Sequence, residues 1–232
     1  MAMFDPGETI VPGTLRPKDA ATLVLIKRDG GGPRVLMGCR HSGMAFMANK
    51  YVFPGGRLDP GDQRIAVAKD LRPPVMAKAA HGITRGRARG LALAAIRETF
   101  EETGILIGRH GAPPRTRSPA WARFFAHGIV PDLGGLDLIA RAITPPNRTR
   151  RFDARFFMAD ADTIALTLEA AEHHELLTPS WLTLVEARAL DLPSITRRVL
   201  DEVEARLRDG PDAARPVPFF RFRRGKTLQT WL

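Results

Sequence analysis

The chain has 232 residues, 44% hydrophobic and 26% charged, with 35 Lys+Arg against 25 Asp+Glu for a formal charge of +10. Such a composition excludes intrinsic disorder and collagen-like repeats, and the length suits one large domain with elaborations. One cysteine, Cys39, excludes an intramolecular disulfide and a cysteine-built zinc site, and it fits a reducing compartment.

From the N-terminus, Met1 to Val11 carries Asp5 and Glu8 without an apolar signal region. The apolar stretch 20–26 is far below the ~20 residues that cross a bilayer, so the expected location is cytoplasmic, with no membrane partner. That stretch reads as a buried strand running into Gly30-Gly-Gly32, with Val35-Leu-Met37 returning as a hairpin. Tyr51-Val-Phe53 is a short apolar step ended by Pro54-Gly55-Gly56, a turn that brings bare backbone close to whatever faces it. Residues 60–89 look irregular, broken by Arg72-Pro-Pro74 and followed by the basic run Arg85, Arg87 and Arg89, and they read as an insertion. Residues 91–103 are the clearest helix, stopped by Gly104, and Ile105-Leu-Ile107 resumes an extended form. Further on, 118–127 reads as a helix capped by Ser118, 138–143 as a strand, and 151–158 as a half-buried strand. Its alternation places Arg151, Asp153 and Arg155 on one face and Phe152, Phe156 and Met158 on the other. An extended segment over 175–182 and helices over 183–190 and 193–208 complete the pattern, which indicates an α/β or α+β sandwich.

The 91–103 helix carries the chemistry. At ~100° per residue with Glu98 at zero, Glu102 falls near about 40° and Glu101 near about 300°, while Leu93, Ile96 and Phe100 cluster at about 160–220°. Three acids on one face repel one another and oppose the dipole near the helix C-terminus. A hard divalent cation such as Mg²⁺ would reverse both effects.

Arg97-Glu-Thr-Phe-Glu-Glu-Thr-Gly-Ile105 resembles the second half of the Nudix hydrolase signature, with Thr99 at a usually apolar position. Phe53-Pro-Gly-Gly-Arg-Leu-Asp-Pro-Gly-Asp62 resembles its first half, with Asp62 where Glu is usual. Residues 63–96, 34 in all, separate Asp62 from Arg97 where the family has seven, so the signature is split by an insertion. The resemblance implies an α+β (α/β/α sandwich) fold, a mixed sheet between helices. It implies a domain over 18–210 with the insertion at about 63–90, an N-terminal extension 1–17, and a basic, aromatic segment 211–232. Arg40-His-Ser-Gly-Met-Ala-Phe-Met47, Ile143-Thr-Pro145, the 151–157 strand, Glu175 and Trp181 are similar to the long-insertion coenzyme A diphosphatase branch of the family.

The activity implied by the resemblance is that of a Mg²⁺- or Mn²⁺-dependent diphosphatase. Glu98, Glu101, Glu102 and the carbonyl of Gly55 are the implied metal ligands; Arg97 orients the glutamates, and Glu98 or Glu102 serves as the base. Glu172-His-His-Glu175 is a second candidate loop for the base. Arg40, Arg57, Arg151 and Arg155 are candidate phosphate contacts. The implied partner is a small-molecule diphosphate, coenzyme A or its acyl esters first, with nucleotide sugars, dinucleoside polyphosphates or capped RNA as alternatives. A homodimer is compatible with the sequence. Nucleic acid is the minor reading, carried by Pro218-Phe-Phe-Arg-Phe-Arg-Arg-Gly-Lys226, which reads equally as an edge strand.

Overall fold

A computed structural model of the chain describes residues 15–41, 43, 48–146, 148–168, 176–210, 212 and 214–232. Strand β1 (Lys18–Arg28) turns into β2 (Pro33–Arg40), and the short β3 (Tyr51–Val52) and β4 (Gly55–Arg57) precede a 3-10 turn at Asp62–Arg64. Helices α1 (Pro73–Ala79) and α2 (Arg85–Thr103) come next, then β5 (Ile105–Ile107), β6 (Arg109–His110), α3 (Pro119–Phe125), β7 (Ile129–Val130) and β8 (Asp137–Ile143). The order continues with β9 (Phe152–Asp160), β10 (Ile164–Thr167), β11 (Leu176–Thr183), α4 (Leu184–Ala189), α5 (Ser194–Asp209), β12 (Pro218–Arg223) and β13 (Lys226–Trp231).

The apolar run at 20–26 becomes the middle of the main sheet, ordered β11-β2-β1-β9-β8-β12-β13. One side of β1 runs antiparallel to β4 (Ala20↔Arg57) and β2 (Ile26↔Val35), and the other runs parallel to β9 from Lys18↔Phe152 to Ile26↔Asp160. Because strand side chains alternate, Ala21, Leu23 and Leu25 pack with α1, α2 and α3, whereas Val24 and Ile26 pack with Val199, Leu200 and Val203 of α5. Both faces of β1 are therefore covered, which is why its sequence is continuously apolar. The mixed sheet between helices is the α+β architecture expected from the sequence.

Three local expectations change. Residues 60–89 are irregular only in part, chiefly over 65–72: Pro73 and Pro74 open α1, where a missing N–H costs nothing, and α2 begins at Arg85 under the Thr84 cap, which accepts from the Arg87 amide. Two of the arginines in that basic run are tied to the fold by pairing, the exposed Arg87 on Asp19 and the half-buried Arg89 on Asp70 and the Ile65 carbonyl. Strand β9 is central rather than half-buried, with Phe156 in the α5-side cluster and Phe157 in the α2-side cluster.

The C-terminal segment closes the sheet. β12 runs parallel to β8 (Phe219↔Arg141), and Arg224-Gly225, with φ 51° and 76°, make the two-residue turn into β13. Phe219 and Phe220 are buried beneath the guanidiniums of Arg141, Arg221 and Arg198, so neither ring offers a face for stacking on a base. Among the described residues no helix is long and apolar enough to cross a membrane.

Candidate active site

Helix α2 is built to be enclosed. Its side bearing Glu98 and Glu102 also carries Ala94 and Ala95, both fully buried, and it lies against β1 and β4 rather than facing solvent. Small side chains there let the helix approach the sheet closely. Thr99, the departure from the usual apolar residue, is buried with its hydroxyl donating to the Ala95 carbonyl at 2.7 Å, and Thr103 donates likewise to Thr99. The helix ends at Gly104 in the left-handed conformation (φ 71°), whose N–H donates to the Phe100 carbonyl. Phe100 is half-buried against Phe124 and His127 rather than enclosed, because α3 covers only part of that face.

The glycine turn meets this helix at its acidic residues. The Gly55 amide donates to Glu102 Oε2 at 2.8 Å, and Glu102 is almost wholly buried. A Cβ on Gly56 would lie 2.4 Å from the Glu98 carboxyl carbon, so only a bare backbone leaves room for that carboxylate. A Cβ on Gly55 would lie 2.5 Å from the Ala21 carbonyl oxygen, so the sheet, not the helix, requires glycine at this position.

Arg97 ties the two halves of the motif together. Its Nε and Nη2 donate to Asp62 at 2.9 and 3.0 Å, its Nη1 to Glu98 at 2.7 Å and Glu101 at 2.9 Å, and its Nη2 also to the Arg57 carbonyl at 2.8 Å. All five N–H donors of the guanidinium are thus placed, in a fork that an ammonium could not reproduce. Burial alone would lower the Arg97 pKa, but the hydrogen bond to Asp62 and the charges of Glu98 and Asp62 outweigh it, and the guanidinium is held firmly protonated. Asp62 is fully buried and also accepts from Trp121 Nε1 at 2.8 Å and the Asp59 amide at 2.8 Å. The 34-residue segment between Asp62 and Arg97 therefore leaves and returns at one buried ion pair.

Sequence reasoning missed α3's part in this network. Trp121 holds Asp62, and Arg123 Nη2 donates to Glu101 Oε1 at 3.1 Å. The available signal was a helix carrying Trp and Arg two residues apart just after the motif.

The candidate phosphate contacts divide. Arg57 is exposed immediately after Gly56, and Arg40 ends β2. Arg155 is a correction: it is wholly buried, donating to the carbonyls of Ala79 and His81, and burial together with the neighbouring Arg141 lowers its pKa to about 10. The polar face of β9 is roofed by the α1–α2 connection, so Arg155 secures that roof and cannot reach a substrate. Arg151 is likewise engaged with the carbonyls of Thr144 and Leu15. Glu172-His-His-Glu175 lies outside the described residues.

Formally, Asp62, Glu98, Glu101 and Glu102 against Arg97 and Arg123 leave two negative charges at the turn, the complement of a divalent ion. The donors are hard oxygens, which suit Mg²⁺ or Mn²⁺. Their carboxylates are turned toward Arg97, Arg123 and the Gly55 amide. Among the described residues no group of three or more His, Cys, Asp and Glu side chains is placed to hold a metal ion by itself. Mg²⁺ takes one or two carboxylates with water and substrate phosphates, so it does not require all of these glutamates at once.

Gly56→Ala tests the close approach. The obstructed atoms are the free end of a side chain, so the thermal midpoint should move little while activity at limiting metal falls roughly 10–100-fold. A full metal-activation curve checks it; unaltered activation would remove Glu98 from the site.

No protein-family profile matches the chain. It is 28% identical over 141 residues to the putative nudix hydrolase 7 of Caenorhabditis elegans, a match covering 56% of this chain and 40% of that protein. The chain therefore spans well under two thirds of that curated relative. The crystal structure of the NUDIX hydrolase from Alicyclobacillus acidocaldarius superposes with a TM-score of 0.61 at 30% identity, covering 80% of this chain and 90% of that one. Likeness at this level across nearly the whole of a solved relative, on a fold whose glycine turn and glutamate helix are joined by Arg97, places the chain in the Nudix hydrolase family.

Proposed function

We propose that this chain hydrolyses the diphosphate linkage of a nucleoside diphosphate-linked metabolite, with coenzyme A or an acyl-coenzyme A as the first substrate, using Mg²⁺ or Mn²⁺. The observation that carries the reading is the seating of Glu98 and Glu102 against the bare Gly55–Gly56 backbone. The coenzyme A assignment rests on the stretches at 40–47, 143–145 and 151–157 and on the positive surplus, which suits a substrate with an extra phosphate.

In this reading Glu98, Glu101, Glu102 and the Gly55 carbonyl hold the ion. Bound there, a divalent cation would offset phosphate charge and make water a competent nucleophile near neutral pH. Arg97 fixes the rotamers of Glu98 and Glu101 through charge-assisted hydrogen bonds, so little reorganisation is left for the reaction itself. Glu98 or Glu102 accepts the proton of the attacking water. Arg57, exposed beside Gly56, takes a phosphate oxygen of the substrate, and Arg40 is a second candidate for that role.

The test is a product-resolved panel with Mg²⁺ or Mn²⁺: coenzyme A, acyl-coenzyme A, a nucleotide sugar, a dinucleoside polyphosphate and capped RNA. The expected result is phosphopantetheine and adenosine 3′,5′-bisphosphate from coenzyme A, abolished by a chelator and restored by metal. Inertness toward coenzyme A with turnover of another diphosphate would replace the substrate. Inertness toward the whole panel would overturn the reading.

A further inference from the structure

Glu101 is gripped from both sides, and the two grips are unequal. Arg97 holds Oε2 at 2.9 Å from a guanidinium only 4% exposed, and Arg123 holds Oε1 at 3.1 Å from a guanidinium 69% exposed. Arg97 could leave only by disrupting a buried network with Asp62, Glu98 and the Arg57 carbonyl, a costly rupture. An exposed single-contact pair such as Arg123–Glu101 contributes little and is readily exchanged.

The base of Arg123 is nonetheless fixed. Trp121, two residues earlier, is fully buried, bonded to Asp62 and packed on Phe124 and Phe125, so α3 cannot drift from the acidic helix. Its neighbour Arg123 thus has an anchored backbone and a solvent-exposed head at the rim of the carboxylate cluster.

We infer that Arg123 is a substrate-binding arginine parked on Glu101: when Glu101 turns to a divalent cation, the guanidinium is released beside it and takes a non-bridging oxygen of the substrate diphosphate. The inference rests on the metal-dependent reading of this site. It explains why a cationic side chain is placed where it would otherwise only compete with the ion. A cationic head suits this exchange, since it makes a charge-assisted hydrogen bond with a carboxylate or a phosphate oxygen alike.

Two opposite shifts distinguish this role from simple support. In titrations with Mn²⁺ alone, read by the spin resonance of the free ion, Arg123→Gln should bind Mn²⁺ about two- to fivefold more tightly than wild type, because a competitor has gone. Calorimetry of the Mn²⁺-loaded proteins with methylenebisphosphonate, a non-hydrolysable diphosphate, should show the same variant binding on the order of tenfold more weakly. Arg123→Lys should retain most of that second affinity, since the charge remains. Unchanged constants in both titrations, weakening in both, or tighter Mn²⁺ with unaltered bisphosphonate binding would each overturn the inference. Failure of the wild type itself to bind Mn²⁺ at millimolar concentration is a separate outcome that removes the underlying metal reading, and the inference with it.

Discussion

Glu102→Gln should lower turnover of the best substrate by about two to three orders of magnitude while leaving the thermal midpoint unchanged or slightly raised. The rate loss reflects removal of a charged ligand whose ion supplies several kcal/mol of charge stabilisation in the transition state. The neutral effect on folding comes from the geometry: glutamine keeps a side-chain oxygen to accept from the Gly55 amide, and the lost charge sat near a helix C-terminus beside two other glutamates. Steady-state kinetics beside a calorimetric melt of the metal-free protein checks both. A variant that melts early yet turns over normally would make Glu102 a structural residue.

The second large effect belongs to Asp62. Asp62→Ala removes the partner of a buried guanidinium and strands the Trp121 N–H as well, which should cost about 3–5 kcal/mol. For a chain of this size that is a drop of roughly 6–20 °C in the midpoint. Activity should fall too, because Arg97 then no longer fixes Glu98 and Glu101. The charge-neutral Asp62→Asn, which still offers Trp121 an acceptor, should lie between the alanine variant and wild type. An unshifted melting curve for Asp62→Ala would show that the insertion is not closed through this pair.

Much of the fold and the composition of the candidate site was legible in the residues. Ile105-Leu-Ile107 is a strand with its expected bounds, and the Glu98, Glu101 and Glu102 spacing placed those acids on one sector of a helix. The location of that sector was not legible, since periodicity gives a face but not what covers it. Ala94 and Ala95 were the clue that the acidic side is pressed against a sheet. Arg155 failed for the same reason: alternation put it on a polar face, and only the tertiary roof of the α1–α2 connection makes that face an interior. The start of α1 could have been read from Pro73-Pro74, which suit a first helical turn as well as a break. The contributions of Trp121 and Arg123 depend on where α3 docks, which no local pattern encodes.

The parallel neighbour of β1 imposes a timetable on biosynthesis. Phe152, which pairs with Lys18, is translated 134 positions later (152 − 18), a delay of roughly 7–27 s at ordinary elongation speeds. Throughout that interval the nascent chain can offer β1 only β2 and β4, leaving one whole side of Lys18–Arg28 as an open row of amides and carbonyls flanked by leucine and isoleucine. The ribosome-bound intermediate is therefore a natural client for a chaperone, and overexpression should tax that protection before it taxes the folded protein.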